Sequence, residues 1–198
     1  FWTMMFEPIW KSLLANTTSP IFTPEQCQNI IDMGHQQKSE QARVGMQHKG
    51  TEGGYDAKKR VTTISWIPFP ALPDMYKIIE RSMLQVNGNH FGYEGMALGE
   101  PAQFTEYPKG GFYDWHMDAD VSGTHEPPVR KISMTILLSN QSEFEGGDLE
   151  FMTPGNKPPQ LMQGQAIFFC SLIRHRVTKV KRGVRRSLVQ WFCGPPFK

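Results

Sequence analysis

Cysteine is scarce in this sequence, and the few cysteines present are not arranged in pairs. Only Cys27, Cys170 and Cys193 occur in 198 residues, and no Cys-x-x-Cys motif is found. An odd number of dispersed cysteines argues against a disulfide framework and against a zinc–thiolate site. Since 39% of the residues are hydrophobic, an apolar core can stabilise the chain without disulfides. Because the cysteines show no pattern of pairing, we expect a reducing, cytoplasmic environment.

Long apolar runs and long charged runs are also lacking. No stretch approaches the roughly 18 apolar residues that span a bilayer, and no signal peptide is recognisable, so we expect no membrane association. The net charge is only +2, and the densest basic run is KVKRGVRR at 179–186. Such a weak charge bias does not predict nucleic-acid binding. Nothing in the composition indicates the oligomeric state.

Two helices are predicted in the first half of the chain. The segment TPEQ at 23–26 is a capping-box pattern with proline at the first helical position, and apolar residues follow at helical spacing. This pattern predicts a helix over 24–37. A second apolar stripe predicts a helix from about 73 to 86, ended by Asn87-Gly88.

The rest of the sequence favours short strands. RVTTISWIP, at 60–68, is typical of a strand, whereas the polar, glycine-rich segment at 48–59 predicts a mobile loop that could act as a lid. Beyond residue 88, glycine and proline separate the strand-like runs AQFTEY, GFYDWHM, RKISMTILLS, GDLEFM, QLM, QAIFFCS, HRVTKV and RRSLVQWF. The pattern predicts a mainly β (α+β) sandwich or jelly roll, with the two helices packed on one sheet.

The run FYDWHMDAD at 112–120 contains a candidate metal-binding pair. Residues two apart in a strand project to the same face, so His116 and Asp118 would project together, with Asp114 on the same side. A His-x-Asp pair is a weak signal on its own, and two solvent-facing residues beside a hairpin are the alternative. A third ligand from elsewhere in the chain would distinguish the two interpretations.

His175 is the best candidate for that third ligand. The histidines at 35, 48, 90 and 125 lie in positions that suit surface residues. His175 instead follows the apolar run AIFFCSLI and begins HRVTKV, a junction at which a side chain can be held rigidly. Two histidines and one carboxylate on one face of a metal leave several coordination positions open, an arrangement typical of non-haem Fe(II) oxygenases.

An arginine on the last predicted strand is a candidate for binding a carboxylate. Strict alternation separates two faces: Arg185, Ser187, Val189 and Trp191 on one, and Arg186, Leu188, Gln190 and Phe192 on the other. If the first face points inward, Arg185 is a lone interior guanidinium, whose planar fork suits bidentate binding of a carboxylate. The other basic residues of 179–186, which include a predicted tight turn at KRG, are then expected to be solvated.

The sequence resembles the 2-oxoglutarate/Fe(II)-dependent dioxygenases, and within them the prolyl 4-hydroxylase branch. The likeness is based on His116-x-Asp118, His175 and Arg185 in order, and extends over about 100–194. It includes EFEGGDLEF, which is similar to a Glu-Gly-Gly turn of that branch, and IFTPEQCQNIIDMG, which looks like its entry helix. The resemblance implies a double-stranded β-helix (jelly roll, cupin-like). We expect one such domain over 1–198, with 1–88 as support and 89–198 as the jelly-roll core.

The resemblance also implies roles for individual residues. His116, Asp118 and His175 match the iron ligands, and Arg185 matches the basic residue that binds the distal carboxylate of 2-oxoglutarate. Other expected members of the site are Tyr107 and Ser187 on the co-substrate side, and Tyr113, Arg130 and Trp191 on the substrate side. By strict alternation Tyr113 points away from His116, so core packing is its alternative. Trp191 has the same alternative, and Arg130 that of an ordinary surface charge.

The implied activity is hydroxylation of a prolyl residue in a peptide or protein, using Fe(II), 2-oxoglutarate and O₂, with ascorbate as a candidate reductant. Many prolyl 4-hydroxylases have lysine where this chain has Arg185, so the same chemistry on another side chain or a small molecule is a second interpretation. A third is a non-catalytic jelly-roll binding module with structural histidines or a non-redox metal. Such a module has no need for an interior carboxylate anchor.

Overall fold

The computed structural model describes residues 14–42, 57–119, 128–153 and 160–197. Within these ranges there are two α-helices, α1 at Pro24–Gln36 and α2 at Pro73–Val86. The strands are β1 Leu14–Asn16, β2 Glu40–Gln41, β3 Arg60–Val61, β4 Thr63–Ile67, β5 Ala97–Leu98, β6 Ala102–Tyr107, β7 Phe112–His116, β8 Val129–Leu137, β9 Phe144–Gly146, β10 Leu149–Phe151, β11 Ala166–Cys170, β12 His175–Val177, β13 Val180–Gly183 and β14 Arg185–Gly194. The mainly β fold with flanking helices is as predicted.

Helix α1 begins where the sequence predicts. The Thr23 hydroxyl accepts a hydrogen bond from the Gln26 N–H (3.2 Å), and the Gln26 side chain accepts one from the Thr23 N–H (2.9 Å), which completes the capping box. The helix ends at Gln36, one residue before the predicted end. Gly34 lies so close to Phe104 that a β-carbon there would be 2.4 Å from its ring, and glycine therefore lets α1 pack directly on the sheet.

Helix α2 has the predicted bounds, and Asn87 is the residue that follows its end. Asn87–Phe91 continue it as a π-turn, and Gly92 ends the turn in the left-handed conformation at φ 69°. The Asn87 side chain accepts a hydrogen bond from the Tyr93 N–H (3.0 Å) and donates to the Tyr93 carbonyl (2.7 Å). Asn87 therefore lies at the end of α2 and also supports the following loop.

The largest sheet has its strands in the order β1-β11-β8-β14-β6-β4-β2, with β5 paired to β14. Both helices pack on its outer face, where alternate strand residues and helix residues such as Ile30 and Ile79 form one apolar core. The main strand residues of this core are Phe104, Ile132, Met134, Ile136, Leu138, Phe168, Leu188 and Phe192. The prediction of two helices on one sheet is confirmed.

A second sheet, in the order β10-β12-β7-β3, contributes the other wall of the interior, and β9 pairs with β13 in a separate ribbon. The predicted strand at 60–68 is divided between the two sheets, because β3 pairs with β7 whereas β4 pairs with β6. The break is at Thr62, whose hydroxyl donates to the Glu106 carbonyl (2.6 Å). One short segment therefore places Arg60 and Trp66 on two walls of the same interior.

Two further local predictions are wrong. QLM at 160–162 is not a strand, because the Gln165 N–H bonds to the Met162 carbonyl (2.9 Å) in a turn. KRG at 181–183 is not a tight turn but part of β13, which pairs with β9. Strands of two or three residues, such as β2 and β5, were missed because they are too short to show a period.

Some predictions concern residues that are not described. The expected mobile loop at 48–59 lies outside the described residues except for 57–59, and His48 and His125 also lie outside them. The three cysteines are described, and all are buried and free. In the described ranges, neither helix has the length and apolar character needed to cross a bilayer.

Candidate metal centre and its cavity

Strands β7 and β12 bring the three predicted ligands together. His116 and His175 are register partners across this antiparallel pair, and Asp118 lies just beyond the end of β7. Their potential ligand atoms all lie within 4.8 Å of one another. The Nε2 atom of each histidine is 3.6 Å from a carboxylate oxygen of Asp118. Asp114, predicted on the same side, is exposed and is not part of the cluster.

Backbone hydrogen bonds determine which nitrogen of each histidine can bind a metal. Nδ1 of His116 is 2.8 Å from the carbonyl oxygen of Asp114, and Nδ1 of His175 is 3.0 Å from that of Ile173. Because a carbonyl oxygen only accepts, each Nδ1 carries the proton and donates it. The Nε2 lone pair of each ring is thereby left available, and the ring orientation is fixed.

The surroundings of His116 and Asp118 set their charges. Burial, with the proximity of His175, lowers the pKa of His116 to about 3. Burial alone would raise the pKa of Asp118, but His175, His116 and a hydrogen bond from Ser133 outweigh it and lower that pKa to about 2. A neutral imidazole beside an ionised carboxylate is the combination that binds a divalent cation.

A β-bulge in β7 places Tyr113 beside His116. Between the register pairs His175–His116 and Val177–Tyr113, β7 has two residues where β12 has one. The extra residue reverses the alternation, and the Tyr113 ring stacks on the His116 ring with centroids 3.5 Å apart. The expectation that Tyr113 points away from His116 is therefore wrong, because alternation does not hold across a bulge.

Arg60 is a cavity residue that the sequence interpretation missed. Its side chain is buried, and its guanidinium lies 4.2 Å from the centroid of the Tyr113 ring and donates to Oε1 of Gln103 at 3.3 Å. Its Nε has no hydrogen-bond partner among the described residues. The only signal in the sequence is a basic residue at the start of a strand, which is equally typical of an exposed strand end.

Strand β14 shows the predicted alternation. The residues of its inner face that line the cavity are Arg185, Ser187, Val189 and Trp191. Leu188 and Phe192 point the other way, into the apolar core. Arg185 is only 4% exposed and donates to Oγ of Ser187 at 3.1 Å. No carboxylate of the described residues lies within salt-bridge distance of it, so a buried positive charge faces the cavity without a partner anion.

Tyr107 and Arg186 lie on opposite sides of the same strand pair. Tyr107 is buried on β6 as the register partner of Arg185, whose guanidinium is 5.6 Å from its ring. Burial raises the pKa of Tyr107, against the lowering effect of Arg60 and Arg185, so the hydroxyl stays protonated. Arg186 is half-buried and pairs with Glu106 at 2.8 Å. The expectation that Arg186 is merely solvated is wrong, because Glu106 on the neighbouring strand binds it.

The Glu-Gly-Gly turn shapes the cavity wall beside Arg185. Gly146 and Gly147 both have positive φ, at 74° and 69°. A β-carbon on Gly147 would lie 2.8 Å from Cδ of Arg185 and 2.9 Å from Cγ2 of Val180. Any larger residue at 147 would therefore collide with the aliphatic part of Arg185, so this turn is part of what positions the guanidinium.

Charged and aromatic side chains form another part of the wall. Arg130 makes a bidentate ion pair with Glu100, with both distances 2.6 Å, and its guanidinium lies 3.7 Å from the ring of Trp191. Trp191 is in turn 6.0 Å from Trp66. Arg130 is therefore not an ordinary surface charge. The indole N–H of Trp191 is buried and has no partner among the described residues.

One cavity of about 1040 Å³ joins these groups, which is large for a small-molecule site. All the predicted site residues line it: His116, Asp118, His175, Arg185, Tyr107, Ser187, Tyr113, Arg130 and Trp191. Two imidazoles with a free Nε2 and one ionised carboxylate fit an Fe(II) ion with open coordination positions. The space beyond the cluster exceeds what a small dicarboxylate fills.

Known proteins resemble this chain in sequence. Residues 102–193 match the family model of the 2OG-Fe(II) oxygenase superfamily. A PKHD-type hydroxylase of Acidovorax ebreus is 34% identical over 95 residues, which cover 46% of this chain and 42% of that protein. The PKHD-type hydroxylase PiuC of Pseudomonas aeruginosa is 29% identical over 150 residues, which cover 72% of this chain and 65% of that protein. The chain thus spans about half the length of the curated relatives it matches.

Solved structures share its fold. A viral collagen prolyl hydroxylase from Paramecium Bursaria Chlorella virus-1 aligns with a TM-score of 0.70 at 18% identity, over 92% of this chain and 97% of that one. A Pseudomonas putida prolyl-4-hydroxylase aligns with a TM-score of 0.67 at 19% identity, over 92% and 93%. The expected double-stranded β-helix is confirmed. The resemblance to the 2OG-Fe(II) oxygenase superfamily, whose members use Fe(II), 2-oxoglutarate and O₂, is therefore confirmed over residues 102–193, and the fold is similar to that of prolyl hydroxylases.

Proposed function

We propose that this protein is an Fe(II)- and 2-oxoglutarate-dependent hydroxylase that acts on a prolyl residue in a peptide or protein. The observation that carries the proposal is the His116–Asp118–His175 cluster in one cavity with the buried Arg185, for which the described part of the chain supplies no carboxylate. A metal centre alone would suit many proteins. A metal centre that shares a cavity with an interior cation suits a reaction that also binds a dianionic co-substrate.

His116, Asp118 and His175 would hold Fe(II), which with 2-oxoglutarate and O₂ supplies the oxidising chemistry for hydroxylating a C–H bond and yields succinate and CO₂. The protein's contribution is to hold three ligands on one side and to leave the remaining positions open.

Arg185 is proposed to bind the distal carboxylate of 2-oxoglutarate. Its guanidinium offers a planar pair of donors, and burial at 4% exposure makes an ionic hydrogen bond stronger than it would be in water. Ser187 receives one Arg185 N–H at 3.1 Å and holds the side chain in place, while its own hydroxyl proton remains available to the co-substrate. The neutral Tyr107 hydroxyl, opposite Arg185 on β6, would contribute a further donor.

The substrate side is proposed to bind a peptide through its carbonyl oxygens. Two buried donors in this cavity, Nε of Arg60 and the indole N–H of Trp191, have no partner among the described residues. An unpaired buried donor is costly, so a ligand that supplies acceptors is favoured. Peptide carbonyls are such acceptors. Tyr113 and the Arg130–Glu100 pair would border the same segment of substrate.

The test is to incubate the protein with Fe(II), 2-oxoglutarate and a panel of proline-containing peptides, and to measure succinate release and the peptide mass. We expect one added oxygen atom on proline and one succinate per oxygen. Each peptide is matched by a control with alanine in place of proline. If the oxygen is added to another residue or to a small molecule, the proposed reaction is retained and the prolyl substrate is wrong. No turnover of 2-oxoglutarate with any substrate, or no binding of metal, would favour a binding module.

A further inference from the structure

Asp118 is tied to the protein core through two buried serine hydroxyls. Oγ of Ser133, on β8, lies 2.6 Å from Oδ2 of Asp118. Oγ of Ser171, in the turn between β11 and β12, lies 2.9 Å from Oγ of Ser133. Both serines are fully buried, at 0% exposure. A hydroxyl in such a place needs partners inside the protein, and these three side chains supply them to one another.

The proton count gives this chain of hydrogen bonds a direction. Ser133 has a single hydroxyl proton, and an ionised carboxylate can only accept, so Ser133 donates to Asp118. Because its only proton is used, Ser133 can take part in a second hydrogen bond only as an acceptor. Ser171 must therefore be the donor in the bond between the two serines. The relay therefore runs from Ser171 to Ser133 to Oδ2 of Asp118. Its last bond, at 2.6 Å, has the length of a charge-assisted one.

Backbone contacts fix Ser171 independently of its side chain. Its N–H donates to the Lys131 carbonyl (2.9 Å), and its carbonyl accepts from the N–H groups of Asp118 and Ala119 (3.0 Å each). Two residues further on, the Ile173 carbonyl receives Nδ1 of His175. The turn that holds the relay therefore also orients a second ligand of the cluster.

Deepening the proposed metal centre, on which this inference rests, we propose that Ser133 and Ser171 are positioning residues for Asp118. Ser133 donates to Oδ2, whereas among the described residues Oδ1 accepts no hydrogen bond; each oxygen lies 3.6 Å from the Nε2 atom of one histidine. The relay thus fixes the plane of the carboxylate, with Oδ1 as the oxygen whose lone pairs are free for a metal. The terminal torsion of aspartate is broad, so rotamer preference alone does not set the plane of this carboxylate. Without Ser133 the plane can turn and offer both oxygens, which alters the affinity of the site and the positions left for the co-substrate.

The test uses Co(II), a visible-light probe whose absorption intensity depends on its coordination number, in place of Fe(II). Ser133→Ala should weaken Co(II) binding about 10–100-fold, the usual cost of losing a group that orients a ligand, and should change the absorption per bound Co(II). Ser171→Ala keeps the Ser133–Asp118 bond and should weaken binding only a few-fold. Ser133→Thr keeps the hydroxyl and should restore both readings.

Ser139→Ala is the matched control. Ser139 is also at 0% exposure and is hydrogen-bonded, to the Val184 carbonyl (3.2 Å) and the Arg186 N–H (2.8 Å), but not to any of the three candidate ligands. It should lower thermal stability and leave the dissociation constant and spectrum of Co(II) unchanged. An equal loss of Co(II) affinity in Ser139→Ala and Ser133→Ala would overturn the inference.

Three other outcomes are decisive. Wild-type affinity and spectrum in Ser133→Ala would overturn the positioning role while leaving the metal centre intact. If Ser133→Ala does not fold, Ser171→Ala decides, and an unchanged dissociation constant there overturns the relay. Failure of the wild-type protein to bind Co(II) would overturn the metal centre itself, and with it the proposed function.

Discussion

Both faces of the large sheet contain deeply buried residues, but those beneath the helices are apolar, whereas many of those facing the cavity are polar. On the outer face, beneath α1 and α2, side chains such as Phe104, Ile136 and Phe192 are apolar and at most 2% exposed. On the inner face, the same strands present Thr105, Ser133 and other polar residues that are buried just as deeply. Burial alone therefore does not distinguish structural from functional residues in this fold.

The difference lies in what each face contributes to folding. A fully buried apolar side chain stabilises the protein by roughly 1.5–3 kcal/mol, and the outer face has many of them. Polar groups on the inner face lose hydration on burial, and their mutual hydrogen bonds only offset that loss. The apolar contacts of the outer face thus supply the folding free energy that the polar inner face does not. Substitutions on the two faces should separate stability from activity.

The largest effect is expected from removing a ligand of the inner face. His175→Ala takes away one of three candidate ligands, so succinate release should fall below detection, while far-UV circular dichroism and cooperative unfolding persist. His35→Ala, at an exposed histidine outside the cavity, is the control and should keep its turnover. A fully active His175→Ala protein would remove the basis for the proposed metal centre.

A large change in stability is expected from the outer face. Phe192 is at 0% exposure and stacks against Phe168, so Phe192→Ala should lower the free energy of unfolding by about 3–5 kcal/mol. Because Phe192 points away from the cavity, the folded fraction should keep the wild-type KM for 2-oxoglutarate. Urea denaturation and a co-substrate titration measure the two quantities. A raised KM with unchanged stability would reverse the roles assigned to the faces.

Adjacent residues of β14 sharpen the comparison, because Arg185 and Arg186 lie on opposite faces. A hydrogen bond to a charged group contributes about 1.5–3 kcal/mol, so Arg185→Ala should raise the KM for 2-oxoglutarate tens-fold or more. Arg185→Lys keeps the charge without the planar fork and should be intermediate. Arg186→Ala removes a half-exposed pair with Glu106 and should cost at most about 1 kcal/mol of stability. A raised KM in Arg186→Ala alone would contradict this assignment.

The smallest effect concerns pH and again comes from the inner face. Folded His116 stays neutral down to about pH 3, whereas the unfolded chain takes up that proton near the ordinary value of 6.5. The unfolded state therefore binds more protons in this window, and stability falls as pH falls. At about 1.4 kcal/mol per unit, the metal-free protein should lose about 2 kcal/mol between roughly pH 8 and pH 5. His116→Gln should flatten that dependence in urea denaturation, and an equally steep profile would exclude His116 as its source.

Features encoded by local patterns could be predicted from the sequence. The capping box at 23–26 gave the start of α1, and the alternation along β14 placed Arg185 and Phe192 on opposite faces. The cluster of His116, Asp118 and His175 was predictable because three residues of ligand type follow strand-like runs in order. Each of these signals lies within one segment or depends on residue type alone.

Features that depend on how strands pair could not be predicted. The bulge that brings Tyr113 to His116 exists only in the register between β7 and β12. Arg60 reaches the cavity because a single apparent strand is shared by two sheets, and Ser133 is one of many serines until Asp118 is placed beside it. Non-local pairing decides all three, and no periodicity in a single segment reports it.

The bulge in β7 makes strand length, and not only residue identity, a determinant of which side chain lies beside the cluster of His116, Asp118 and His175. Inserting one residue between His175 and Val177, opposite the bulge, would give both strands two residues between the register pairs, restore simple alternation and turn Tyr113 away from His116, while His116 keeps its pairing with His175. A single-residue insertion here is therefore a route by which ligand preference could diverge between related chains without any change in the three candidate metal ligands.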